Sequence, residues 1–167
     1  SMNGALLKAR FPYMFEGDLV GLTFYRGWTP ILGRACEQID QLLPPGKLGF
    51  RWVQLRADQG CGLFLYVLGE FRTFVVNLEG DSRRATLFAP YDVAADLAPE
   101  VDRVVLEAER VTSTACMVCG RRAEAASYFG TELTLCSLHE PGELGRDGDE
   151  GLEGFWREAV EWEAYPS

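Results

Sequence analysis

Histidine is nearly missing from this chain: among 167 residues there is one, His139. A single imidazole cannot serve a metal site and also a Ser-His or Cys-His nucleophile pair. Nor does it leave the further histidines that the catalytic metal of a treble-clef nuclease would need. Long hydrophobic runs are lacking too. No stretch approaches the roughly 18–20 apolar residues of a membrane helix, so no membrane association is expected. The N-terminus has no basic region leading into an apolar run, so no signal peptide is expected, and Ser1 ahead of Met2 reads as a scar of tag cleavage. Gly60-x-Gly62 lacks the third glycine, the Lys-Ser/Thr and the following helix of a phosphate loop.

Positive charge is in deficit, with a formal charge of -9 at pH 7. Residues 141–167 hold eight acids against Arg146 and Arg157, so that segment carries -6 and residues 1–140 only -3. Affinity for a phosphate backbone comes from Lys and Arg, which makes nucleic acid a less favoured partner than protein. Arg83-Arg84 or Arg121-Arg122 could still form a local basic face. An acidic surface instead suits steering toward a basic protein partner.

What is present is 47% hydrophobic residues, enough for one core. Residues 4–15 are expected to form a short helix that Pro12 interrupts or ends. Thr29 is placed to cap a helix starting at Pro30, and Ile31, Leu32, Ala35, Cys36, Ile39, Leu42 and Leu43 form its apolar stripe before Pro44-Pro45-Gly46. Residues 48–57, 62–68, 71–79 and 84–89 are rich in aromatic and branched residues and separated by glycine-containing turns. They predict an antiparallel four-stranded meander packed with helices, and residues 99–112 predict another helix. The fold class is α+β, followed by a zinc-ribbon or treble-clef-like module. The division is 1–112 for the α+β body, 113–140 for the metal-binding module, 141–154 for an acidic linker with glycine at every third position, and 155–164 for a C-terminal amphipathic helix. Five triplets with many acids cannot sustain a collagen helix. The aromatic residues Phe155, Trp156 and Trp162 favour docking of the last helix on the core over a free partner-binding tail.

The chemistry-bearing pattern is Cys116-x2-Cys119, sixteen intervening residues that begin with Gly120, then Cys136-x2-His139. Thiolates and imidazole are the ligands zinc prefers, and four of them complete a tetrahedral shell with no open position. One structural zinc per chain is expected, held by Cys116, Cys119, Cys136 and His139, with its binding energy serving as folding energy. Two buried thiols beside an unrelated Cys and His, or a redox Cys-x-x-Cys pair, are weaker readings. A closed shell offers no site for an activated water, and the order of ligands does not fit a zinc deaminase. An odd number of cysteines without an export signal favours a reduced, cytoplasmic protein. Elsewhere, Cys36 reads as a buried apolar residue, Cys61 as an exposed turn thiol, and Trp28 and Trp52 as core. Asp92, Asp96, Glu100 and Asp102 read as acids at a helix start rather than as a second metal site.

With these elements placed, residues 4–140 resemble a group of small uncharacterised bacteriophage and prophage proteins. The resemblance is carried by Leu-Leu…Phe-Pro-Tyr-Met-Phe and by Gly27-Trp28-x-x-Ile31-Leu32-x-x-x-Cys36-x-x-Ile39-Asp40. It continues through Phe50-Arg51-Trp52-Val53-Gln54, Ala108-Glu109, Thr114-Ala115-Cys116-x-x-Cys119-Gly120 and Thr134-Leu135-Cys136-x-x-His139. It implies a cytosolic bacterial or phage zinc protein and assigns no activity. Where that group carries a basic, aromatic hairpin, this chain has Asp58-Gln59-Gly60-Cys61-Gly62-Leu63-Phe64-Leu65-Tyr66. The function expected from all of this is a non-enzymatic, zinc-stabilised protein-binding module, such as a phage or mobile-element inhibitor or immunity-type protein acting on a basic partner. The alternatives are a nucleic-acid-binding regulator that uses the zinc module, and an enzyme with a pocket on the sheet.

Overall fold

A computed structural model of the chain describes residues 3–16, 22–23, 25–69, 71–78, 81–87, 96–128, 130–140 and 159. The linker expected at 141–154 lies outside these residues, as does all of the C-terminal helix expected at 155–164 except Ala159. Ala159 itself is helical and fully buried in the core. The protein is a mixture of helix and sheet with antiparallel strand pairs. No helix among the described residues is long and apolar enough to cross a membrane.

Helix α1, Gly4–Arg10, starts where the Asn3 side chain accepts from the Leu6 N–H at 2.8 Å. It gives way at Pro12 to a 3-10 turn over Pro12–Phe15. A two-residue strand β1, Leu22–Thr23, follows. Helix α2, Thr29–Leu42, differs from expectation at its start. Thr29 is its first residue and buried, because a 3-10 turn over Arg26–Trp28 already winds the chain into the helix. The apolar stripe holds: Ile31, Leu32, Ala35, Cys36 and Ile39 are all buried. Tyr13 donates to Asp40 and Lys47 Nζ donates to Asp40 at 2.9 Å, which ties the opening segment to the end of α2. These two bonds hold the Asp40 carboxyl below the usual aspartate range.

Four strands follow: β2 Arg51–Asp58, β3 Cys61–Leu68, β4 Phe71–Leu78 and β5 Asp81–Leu87. The turn between β2 and β3 is Gln59-Gly60, both at positive φ (49° and 77°), the signature of a tight two-residue hairpin. Cys61 therefore begins a strand opposite Asp58 instead of occupying a turn. A bulge between Trp52 and Gln54 shifts the phase of β2, so that Trp52 and Leu55 both face the core and Val53 is left outside.

Strands β2 to β5 lie in sequence order in one sheet, to which β1 adds a fifth strand, but their pairing is uneven. β2 pairs with β3 from end to end, and β4 with β5 likewise. β3 and β4 share only the register pairs Val67↔Arg72 and Leu68↔Phe71, beside their turn, and β1 adds a short parallel pairing on the far side of β2. Helix α3, Ala98–Thr112, supplies the reason. The Phe64 N–H donates to Glu109 Oε2 and the Gly62 N–H to Thr112 Oγ1, both at 2.7 Å. These are the outward amides of β3 that a fully paired β4 would have used. Two helix side chains thus stand in for a strand, and Tyr66 Oη donates to Asp102 at 2.8 Å to add a third tie between β3 and α3.

Trp28, Phe50, Trp52, Phe64 and Tyr66 are the bulkiest wholly buried side chains apart from aliphatics, and Trp52 meets Phe50, Phe64 and Tyr66 edge to face. Trp28 and Trp52 are core residues, as read from the sequence. The last pair of strands, β6 Ala125–Tyr128 and β7 Thr131–Thr134, forms a separate two-stranded sheet around Gly130. The segment containing that hairpin is not packed as a satellite. Ala115, Cys116, Met117, Ala123, Leu133 and Leu135 belong to the same core cluster as Trp28 and Trp52.

Because Glu109 accepts from the buried Phe64 amide, its replacement has a defined cost. Glu109→Leu is expected to lower the unfolding free energy by about 2 kcal/mol, whereas Glu109→Gln, which keeps a carbonyl acceptor, should cost less than about half of that. Urea denaturation of the two variants measures both values.

Candidate metal centre

The Cys116–Gly120 knuckle is shaped by backbone bonds before any ion is considered. The Gly120 N–H donates to Cys116 O at 2.8 Å and the Cys116 N–H to Arg121 O at 2.6 Å, closing the loop on itself. An isolated bridge between Ala115 and Arg122, with the Ala123 N–H on Thr114 O, zips its base. Gly120 sits at φ 80°, a conformation that side chains with a Cβ avoid. Met117, fully buried at the tip, uses both its backbone groups. Its N–H donates to Thr134 O on β7 at 2.9 Å, and its carbonyl accepts from Gly27 N–H at 3.0 Å.

Those two bonds bring the second ligand pair to the first and fasten both to the start of α2. β7 delivers Leu135 into the core and Cys136 beyond it, and the His139 N–H donates to Cys136 O at 2.9 Å, turning the ring back. The ligand atoms of Cys116, Cys119, Cys136 and His139 consequently all lie within 4.8 Å of one another. Cys119 Sγ and Cys136 Sγ are 3.7 Å apart, and His139 Nδ1 is 3.7 Å from Cys116 Sγ and 3.2 Å from Cys136 Sγ. The four residues could hold a metal ion, and they are the four that the spacing singled out.

The electrostatics favour a cation there. Burial pushes the Cys116 thiol up, but N–H groups of Cys136, Cys119 and Val118 together with His139 outweigh it and bring the thiol down to about 7. Cys119 goes the opposite way, up to about 11, through burial and then through its thiol neighbours Cys136 and Cys116. One thiolate thus forms readily and opposes the next. A positive ion between Cys116 and Cys119 would favour ionisation of both.

The remaining candidates fall outside this cluster. Cys36 is fully buried in α2 and its thiol is pushed up to about 12 by burial, as expected of a core residue. Cys61 is half-buried, raised by burial, and donates to Glu109 O at 3.1 Å. Asp92 lies outside the described residues, Glu100 sits in the first turn of α3, and Asp102 accepts from Tyr66 instead of capping the helix.

One residue the ligand spacing does not point to is Gly27. A Cβ there would stand 2.1 Å from Cys116 O, 2.6 Å from Gly120 N and 3.0 Å from Cys119 N. A Cβ on Gly120 would in turn meet Gly27 O at 2.5 Å. The turn into α2 and the metal knuckle therefore touch backbone to backbone, with no room for a side chain on either. Only Gly27-Trp28 in the phage-protein resemblance marks the position in the sequence, and without a reason attached.

No protein-family model matches the chain, and no curated protein or solved structure matches it either. What defines the class is the chain itself: a mixed helix-and-sheet protein with a three-cysteine, one-histidine cluster able to hold a metal.

Gly27→Ala is expected to destabilise the protein by about 2–4 kcal/mol and to lower metal content together with stability, since the knuckle must move to admit the methyl group. Gly46→Ala, where a Cβ meets nothing within 4 Å, should change stability by less than about 0.5 kcal/mol. Thermal melting with elemental analysis of both proteins separates the two.

Proposed function

We propose that this chain is a non-enzymatic, zinc-stabilised protein-binding module. The observation that carries the reading is the closed ligand set: the cluster uses the only histidine, and four protein ligands leave no coordination position for a substrate or a water. Zinc fits the geometry. Bonds of about 2.3 Å to sulfur and about 2.0 Å to nitrogen imply tetrahedral S···S edges of about 3.8 Å and S···N edges of about 3.5 Å. The Cys119 and Cys136 sulfurs stand 3.7 Å apart, and His139 Nδ1 stands 3.7 Å from Cys116 Sγ and 3.2 Å from Cys136 Sγ. In this reading residues 113–140 form a zinc-ribbon-like module whose metal acts as a structural staple.

The acidic balance of the chain supports a basic protein as the partner, reached by long-range attraction. A cytoplasmic phage or mobile-element inhibitor or immunity-type protein matches that combination of acidity, reduced thiols and closed metal site. The nucleic-acid alternative draws support from one feature. An open groove of about 500 Å³ beside the second ligand pair is lined by Arg121, Arg122, Tyr128 and Leu138, although Glu124 and Glu140 share it.

Elemental analysis is expected to find about one zinc per chain, and Cys119→Ala to lose it. Full zinc occupancy in that variant would mean the ligand set is wrong. Affinity capture from a bacterial lysate should recover a stoichiometric basic protein that raised salt releases. Recovery of no protein, with salt-dependent DNA or RNA binding in its place, would favour the alternative.

A further inference from the structure

The four ligands differ in how they meet solvent. Cys116 is buried and Cys136 half-buried, while Cys119 is the most exposed of the three cysteines. Its sulfur lies 3.7 Å from that of Cys136. A disulfide needs the sulfurs at about 2.05 Å, so a closure of under about 2 Å joins these two once nothing stands between them. The other two cysteines do not compete. Cys36 is sealed in the core, and Cys61 is held as a thiol by burial while it donates to the Glu109 carbonyl.

We propose that the metal centre is also an oxidation-sensitive latch, in which a peroxide joins Cys119 to Cys136 and expels the ion. The inference rests on the zinc reading above. The Cys119 sulfur, ionised when a metal holds it, attacks the peroxide O–O bond, taking one oxygen as a sulfenic acid and releasing hydroxide. The Cys136 thiolate then attacks that sulfur, and the second hydroxide leaves as the S–S bond forms. The two thiolates lose two electrons, the peroxide gains them, and the two hydroxides take up two protons to become water. Cys116 and His139 alone are too few ligands to retain the ion against a chelator. The consequence reaches past the site, because Gly27 seats the first turn of α2 directly on the knuckle that the metal holds in shape.

The test uses the full-length, zinc-loaded protein freed of reductant. Hydrogen peroxide is added, zinc release is followed with a chromogenic chelator, and the oxidised chain is alkylated and mapped by mass spectrometry. The expected result is one zinc released per disulfide, a Cys119–Cys136 linked peptide, and recovery of zinc binding after dithiothreitol and zinc are supplied. Retention of zinc while Cys61 is oxidised, or a link mapped to Cys116 and Cys119, would overturn the proposal. Cys119→His keeps four ligands but removes the attacking thiolate, so its zinc release should be slower by at least about tenfold. Release at the wild-type rate would count against the latch, and if that variant holds no zinc the wild-type peptide map decides. Should the purified protein contain no zinc, the zinc reading fails by itself. The reduced chain must then still form the Cys119–Cys136 link, and its absence would sink the proposal separately.

Discussion

The contact on which the rest of this structure depends is made without side chains. At Gly27 and Gly120 two pieces of backbone approach until a single methyl group on either would collide with a carbonyl oxygen or an amide nitrogen of the other. That proximity allows the Gly27 N–H to reach Met117 O, and it places the knuckle carrying Cys116 and Cys119 against the entry to α2. A metal held by these four groups would do more than close a loop of its own. It would brace a surface on which the main helix begins, so that its binding energy would enter the stability of the whole core. The buried positions of Met117, Leu133 and Leu135 in one cluster with Trp28 and Trp52 express the same coupling in side-chain packing.

Helix α3 has a second organising role. By offering Glu109 and Thr112 to the amides of Phe64 and Gly62, it satisfies the outer edge of β3 and excludes β4 from all but the end of that strand. The result is a β2–β3 hairpin packed against α3 and a β4–β5 hairpin paired to it beside one turn. Asp102, reaching Tyr66 from the same helix, holds the two elements in register. The buried Glu109 carboxylate is thereby satisfied within the fold.

Much of this was legible before any coordinates. The apolar stripes of α2 and α3 are written at helical spacing, and the four ligands are written as two pairs with a glycine after the first. What was illegible has identifiable causes. The shortness of the β3–β4 pairing was hidden because strand pattern reports which faces are apolar, and it carries no record of who takes the outward amides of β3. Thr29 read as a cap because its residue type suits one, while a 3-10 turn at Arg26–Trp28 moved the helix start past it. The bulge at Val53 interrupts the alternation of β2 in a way that composition does not signal. Gly27 was the deepest omission: its role is a contact with a segment some ninety residues away, and a glycine in a sequence announces freedom without saying what uses it.

The Cys/His cluster able to hold a metal and the rest of the chain share one core through the knuckle. The most direct test is amide hydrogen exchange before and after zinc is stripped with a high-affinity chelator. If the metal supports the whole core, protection should fall across α2 and the β2–β3 hairpin as well as across residues 113–140. Loss confined to 113–140, with α2 as protected as before, would contradict the coupling through Gly27.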